Sequence, residues 1–509
     1  MTTILATLLA VLASSASQPP QDPNPAERAL AASSTAAFGF DLYRALAAAE
    51  PDDNLFVSPW SLAAALAMTA EGASGETAAQ ILAALHVPPD RLAEAHASFA
   101  ALMQTFANGG GNVDDATRQK MASLRELLRQ QNAESTEHER ASRWQEASAS
   151  QQRATGTATQ LNHLLRDADR YVLRTANAMW VDRTCQLEEP FVRTLAQHYG
   201  TGGAQLLDFR TATEPARRTI NAWIAQNTED HIPELLPKGL LTADTRLVLT
   251  NAVWFQGTWA VPFEKRDTTD EDFVLASGER VRSKRMRDRY REGLRYGAFH
   301  GDGRPFATPT SVPGTPGRAA ADAPATYPAD DGFTMVELPY KGNELSMLVL
   351  LPRAHDGLPR LERMMTAEAI AKWTASTKAF EVDVAIPRFT QRCRADVASL
   401  LRALGVQRAF ADPTTTAGAQ FDRMVKAGSR EEALRIDAVV HEAWIAVGEE
   451  GTEAAAATAV VMAPMSAVPN MTRVPFRPVF WADHGFAFVI RDTKSGAVVF
   501  VGRVADPRG

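Results

Sequence analysis

The side chains able to act as nucleophile, acid or base are scattered along the 509 residues of this chain. His441-Glu442 opens like the zinc-binding pattern H-E-x-x-H, but position 445 is Ile, so no second imidazole stands one turn away. Asp483-His484 supplies two members of a charge-relay triad, yet no serine sits in a recognisable nucleophile context such as G-x-S-x-G. A phosphate-cradling G-x-x-x-x-G-K-[ST] loop and a paired C-x-x-C are missing as well. The ten histidines have no ligand spacing, so neither a metal nor a cofactor is expected and the chain does not read as an enzyme. Cys185 and Cys393 form at most one bridge and read as small buried residues.

The most unusual stretch runs from Val447 to Asn470. By propensity it begins as a short helix capped by Thr452 and running through alanines. The β-branched pair Val460-Val461 weakens that helix, and Pro464 and Pro469 forbid its continuation. Read with a period of two, Thr452, Ala454, Ala456, Thr458, Val460 and Met462 form one face that is small or apolar and uncharged, with Glu453 on the other. That is a strand able to bury one side, placed between Gly and Pro as an exposed loop would be.

The elements that must position this stretch follow from periodicity and punctuation. A first helix is expected from Thr35 to Ala49, a second opening at Ser58-Pro59 and ending near Gly72, and a third from Glu76 to Leu85. From about Tyr171 strand-like runs take over: Tyr171–Val181, Arg246–Phe255, Thr334–Tyr340, Leu345–Leu351, Phe380–Ile386, Phe486–Ile490 and Val498–Val504. Helices at Glu189–His198, Glu214–Gln226 and Asp396–Leu404 separate some of them without a regular βαβ rhythm, which predicts an α+β fold.

Two tracts, 106–158 and 301–332, are too polar or too rich in Gly and Pro to hold a core, and read as insertions in one domain spanning 31–507. Ile4 to Ala13 is an apolar run too short to span a bilayer; with its small-residue flank it reads as a secretory signal over 1–17, followed by a linker over 18–30. The mature protein is therefore expected to be secreted or periplasmic, without membrane contact. A net charge of −7 gives no reason to expect nucleic acid as a partner. The basic cluster Arg280, Arg282, Lys284, Arg285, Arg287, Arg289 and Arg291 reads first as a solvated strand pair whose cations discourage edge pairing, and second as a weak polyanion-binding stripe.

The chain resembles the serpin family. Glu449-Glu450-Gly451-Thr452-Glu453-Ala454-Ala455-Ala456-Ala457-Thr458 is similar to the hinge of an inhibitory member. Asn54-Leu-Phe-Val-Ser58-Pro59-Trp-Ser61 resembles the family's shutter helix, and Thr250-Asn251-Ala-Val-Trp-Phe255-Gln-Gly257-Thr-Trp259 its central strand and turn. Leu338-Pro339-Tyr340, Pro387-Arg388-Phe389, Asp483-His484 and Phe500-Val-Gly502 fit further segments in the family's order.

The resemblance implies a monomer with three β-sheets, eight or nine helices and a reactive loop held above the main sheet. A target serine protease would cut that loop as substrate, form an acyl-enzyme, and be dragged away as the loop enters the sheet as an extra strand. Counting fourteen residues on from Gly451, as the family's spacing suggests, puts the scissile bond at Met465-Ser466, with Met462 or Ser466 as the runner-up. An unbranched apolar Met465 suits elastase-, chymotrypsin- or subtilisin-like proteases. The resemblance also places His441, Asn251 and Trp259 near the top of the main sheet, and Asn54, Ser58 and Ser61 near its middle, as a sheet-opening region. A non-inhibitory binding protein on the same fold, and an inhibitor of cysteine proteases, are the alternatives.

Overall fold

The computed structural model describes residues 25–107, 171–199, 204–313, 331–426, 433–452 and 473–509, with scattered helical positions between 119 and 160. The N-terminal apolar run, the loop from Glu453 through Ala454, Ala455, Ala456, Ala457 and Thr458, and the Met465-Ser466 pair lie outside the described residues.

Helix α1 (Pro25–Ala49) starts well before the expected Thr35 and takes over the second half of the expected 18–30 linker. Ser33, Ser34 and Thr35 look like a helix start, but their hydroxyls are engaged elsewhere. Ser33 and Thr35 donate back to the helix carbonyls of Leu30 and Ala31, and Ser34 donates to Leu85 O on a neighbouring element. Strand β1 (Leu55–Val57) leads to α2 (Pro59–Gly72), where Ser58 Oγ caps by accepting from Ser61 N at 3.3 Å and Pro59 fills the first turn. Nearly every α2 residue is buried, as an all-round apolar helix must be. Helices α3 (Gly75–Ala84) and α4 (Leu92–Ala107) complete this layer.

The remaining elements are β2 (Tyr171–Asp182), α5 (Glu189–Tyr199), β3 (Ala204–Leu207), α6 (Thr213–Asn227) and β4 (Leu247–Thr258). After them come β5 (Thr269–Val274), β6 (Arg280–Phe299), β7 (Pro305–Phe306), β8 (Ser311–Pro313), β9 (Phe333–Pro339) and β10 (Leu345–Pro352). Helices α7 (Leu358–Met364) and α8 (Ala367–Ser376), strands β11 (Lys378–Pro387) and β12 (Phe389–Asp396), and helix α9 (Val397–Ala403) follow. The chain closes with β13 (Ala438–Gly448), β14 (Gly451–Thr452), β15 (Arg473–Pro475), β16 (Val479–Trp481), β17 (Phe486–Asp492) and β18 (Val498–Val504).

Among the described residues these strands form three sheets of ten, six and two strands. The six-stranded sheet, in the order β12-β13-β14-β4-β2-β3, carries the site. One of its faces packs on α2 and the main core; the other is covered by α6, whose Ile220 and Ile224 join Ile232, Leu235 and Leu236 over Ala176, Trp180, Val248 and Ala252. The fold is α+β, as the mixture of runs predicts.

The tract 301–332, expected as a plain surface loop, contributes the short strands β7 and β8, and β8 pairs antiparallel with β15, just beyond the loop that starts at Glu449. The basic cluster falls on a strand pair, β5 and β6, as its first reading has it. It lies on β6, inside a sheet and facing carboxylates: Arg280 and Arg282 reach Asp272 at 3.5 and 3.0 Å, and Lys284 reaches Asp270 at 3.8 Å. Arg285 pairs with Glu271, Arg287 with Asp383 at 2.6 Å, and Arg291 with Asp288 at 3.0 Å, so most of its charge is balanced within the fold.

Candidate functional site: a seam in the six-stranded sheet

Strands β4 and β13 are parallel neighbours from Ala438↔Val248 to Trp444↔Trp254. Beyond that point they diverge, and β14 fills the fork. Gly451 and Thr452 pair antiparallel with Gly448 and Val447 on one side and with Thr258 and Gly257 on the other. The third and fourth residues of the stretch read as a hinge, Gly451 and Thr452, thus already pair inside the sheet, where the loop was expected above it.

The geometry explains the residue types. Gly451 has φ +149°, and a Cβ there would lie 2.0 Å from Gly257 O, so no other residue fits without moving the strand. Thr452 is fully buried, and its hydroxyl meets the Tyr340 hydroxyl at 2.9 Å. Burial holds the Tyr340 phenol far above its usual range, so it stays protonated. Trp259 stacks on Tyr340 with centroids 4.6 Å apart and donates its indole N–H to Gly448 O at 3.0 Å. Glu449 accepts from Thr268 Oγ1 at 2.9 Å and faces Arg388 at 3.7 Å, while Glu450 pairs with Lys265 at 3.0 Å. The backbone carbonyls of both glutamates are taken by Phe263 N and Trp259 N at 2.7 and 2.8 Å. The mouth of the seam is built from aromatic rings and the two turn glutamates.

Six residues further along β4, on the α2 side, a polar network crosses the seam. His441, Asn251 and Asn177 stand in register on β13, β4 and β2. Ser58 N donates to His441 Nε2 at 3.2 Å, which leaves the proton on Nδ1, donated to Asn251 Oδ1. Asn251 Nδ2 donates to Ser61 Oγ at 2.6 Å and to Asn177 Oδ1 at 2.7 Å; Ser61 Oγ donates to Asn177 Oδ1 at 2.6 Å, and Asn177 Nδ2 returns a bond to Ser61 O at 3.0 Å. Ser58 Oγ donates to Val499 O at 2.8 Å, tying the network to the ten-stranded sheet. Full burial pushes the His441 imidazole down to about 3, so it is neutral near pH 7.

The structure therefore brings His441, Asn251, Ser58 and Ser61 into one cluster and sets Trp259 apart at the mouth, where the expectation grouped His441 and Asn251 with Trp259. Asn54 does not join them: its side chain holds the C-terminal segment, donating to Asp506 O at 2.6 Å and accepting from Ala505 N and Asp506 N at 2.7 and 2.9 Å. His441-Glu442 lies on a strand, not a zinc helix, and Glu442 is spent on Arg392 and on Arg394 at 2.8 Å. Asn177 and the roles of Tyr340, Thr268 and Lys265 were missed. Tyr340 had a signal in its Leu-Pro-Tyr context; Asn177 enters only through long-range strand register. No group of three or more metal-ligating side chains occurs among the described residues.

Comparison with known proteins agrees with this architecture. The family profile described as Serpin (serine protease inhibitor) matches residues 33–136 and 114–507. The leukocyte elastase inhibitor of Homo sapiens is 29% identical over 476 residues, covering 92% of this chain and 97% of that protein. Serpin B6 of Macaca fascicularis is 31% identical over 458 residues, covering 89% and 93%. The fold of uncleaved ovalbumin superposes with a TM-score of 0.65 at 22% identity, over 94% of this chain and 99% of that one. With a family match along nearly its whole length, the chain belongs to the serpin family.

Proposed function

We propose that the protein is an irreversible inhibitor of serine endopeptidases with an apolar primary pocket, acting by cleavage of its own loop at Met465-Ser466. The protease serine attacks the Met465 carbonyl, the Ser466 amine departs, and an ester joins Met465 to the enzyme. Residues from Glu453 onward then follow Thr452 into the seam and carry the enzyme with them before water can hydrolyse the ester.

One observation carries this reading: Gly451 and Thr452 already lie between β13 and β4, antiparallel to both. Continued entry would exchange a single parallel ladder for two antiparallel ones, which are slightly more stable per residue. At roughly 0.5–1.5 kcal/mol per added hydrogen bond, about a dozen inserted residues provide a driving force on the order of 10 kcal/mol. The residues that follow keep an uncharged inward face in Ala454, Ala456, Thr458, Val460 and Met462, so no unpaired ion would be buried. The names of the matched relatives, elastase inhibitor among them, fit an uncharged primary pocket.

The test is to mix the protein with pancreatic elastase and with chymotrypsin, run denaturing gels, and weigh the released C-terminal fragment by mass spectrometry. A complex stable to denaturant and a fragment starting at Ser466 are expected; rapid cleavage by both enzymes without complex overturns the reading. Export is proposed from the apolar run Ile4 to Ala13, and N-terminal sequencing of protein from the medium or periplasm checks it.

A further inference from the structure

The face of the sheet opposite the polar network carries a second feature, at the point where the seam forks. Trp254 on β4 and Trp444 on β13 are the last registered pair before the strands separate. They point to the α6 side, three residues along from Asn251 and His441 and hence on the other face. His231, half-buried in the connector between α6 and β4, lies over both. Its ring stacks on Trp254 with centroids 4.3 Å apart and planes at 11°, and meets Trp444 at 5.0 Å and 36°. One imidazole thus bridges the two strands that must part.

The connector is held for this placement. Glu229 and Asp230, just before His231, have φ of 51° and 63°, two successive non-glycine residues in the left-handed region. On one flank Arg174 of β2 pairs with Glu229 at 3.0 Å; on the other Arg394 of β12 donates to Glu234 O at 2.6 Å. The segment is strapped across the seam from β2 to β12. Asn221 of α6 fixes its far end, accepting from Leu235 N and Leu236 N at 3.1 and 2.9 Å.

We propose that His231 is a positioning residue for strand insertion: a latch on the Trp254–Trp444 pair that must release before anything beyond Thr452 enters the sheet. Since Thr452 pairs with Gly257, Trp254↔Trp444 is the first registered pair that further entry splits. The latch sets how fast the strand enters, and through that rate how often a cleaved loop traps its protease in place of releasing it. It rests on the insertion reading given above.

The experiment uses the full chain and a synthetic peptide of residues 452–465, whose annealing into the uncleaved protein is followed by native gel and tryptophan fluorescence. The wild type, His231→Ala and His231→Phe are compared. Loss of two aromatic contacts in His231→Ala is expected to speed annealing about tenfold, while His231→Phe, which keeps a stacked ring, stays within about twofold of the wild type. Equal rates for all three, slower annealing in His231→Ala, or His231→Phe as fast as His231→Ala overturn the latch. If His231→Ala does not fold, Trp444→Leu removes half the bridge from the strand side and must also accelerate annealing, or the latch falls. A wild type that anneals no peptide, and whose melting midpoint does not rise after loop cleavage, overturns the insertion reading itself and the latch with it.

Discussion

The two faces of the β4–β13 seam hold the same strands together by opposite means. On the α2 side, Ser58, Ser61, Asn177, Asn251 and His441 form directional hydrogen bonds in a largely buried cluster. On the α6 side, Trp254, Trp444 and His231 make ring contacts without a fixed donor or acceptor. Polar groups in a core are costly to leave unpaired, so the first face opens only if its partners are exchanged together. Stacked rings lose contact gradually as they slide. In the proposed insertion the polar face would make closure all-or-none, and the aromatic face would grade how fast opening proceeds.

The largest expected effect tests that asymmetry. Asn251→Ala strands the Nδ1–H of His441 and removes the donor to Ser61 and Asn177, and is expected to cost about 3 kcal/mol in chemical unfolding. Trp444→Leu, on the other face, should cost about 1 kcal/mol, the size of an aromatic contact. Equal costs would erase the distinction between the faces.

Next in size is a pH effect confined to the polar face. His441 titrates at about 3 when folded, against about 6.5 in an unfolded chain. A base with a depressed folded value adds no penalty above the unfolded value. As pH falls below about 6.5 the unfolded chain gains a proton that the folded one refuses, and stability is lost at about 1.4 kcal/mol per pH unit until the folded value is reached. Between pH 6.5 and 5 this amounts to about 2 kcal/mol. Urea titrations of the wild type and His441→Gln at both pH values check it: the variant should lack this component, and parallel pH profiles would remove His441 as its source.

How much of this was legible in sequence depends on whether a residue's partners are near in the chain. Ser58-Pro59 announces α2 locally, and the runs at Tyr171–Val181 and Val498–Val504 emerge as β2 and β18 because their side chains face apolar surroundings. β13 escaped notice because His441, Glu442 and Trp444 break its pattern, and each is satisfied from afar: by Asn251, by Arg392 and Arg394, and by His231. The uncharged face of period two that begins at Thr452 was visible because such a pattern is local. Its partial entry was not, since that depends on Gly257, Trp259 and Tyr340 shaping a fork around Gly451 and Thr452.

The smallest prediction probes the mouth, where the two kinds of contact meet. The Tyr340 ring belongs to the aromatic stack with Trp259, but its hydroxyl is the side-chain partner of Thr452. Tyr340→Phe keeps the ring and deletes the bond, so stacking should survive while the hinge loses about 1 kcal/mol of its hold. That corresponds to roughly a fivefold rise in hydrogen exchange at the Thr452 amide, with global stability changed by less than the cost of Asn251→Ala. If exchange at Thr452 is unchanged, backbone pairing to Gly257 and Val447 alone keeps the hinge in the fork. The polar contribution would then be confined to the network around Asn251 and His441.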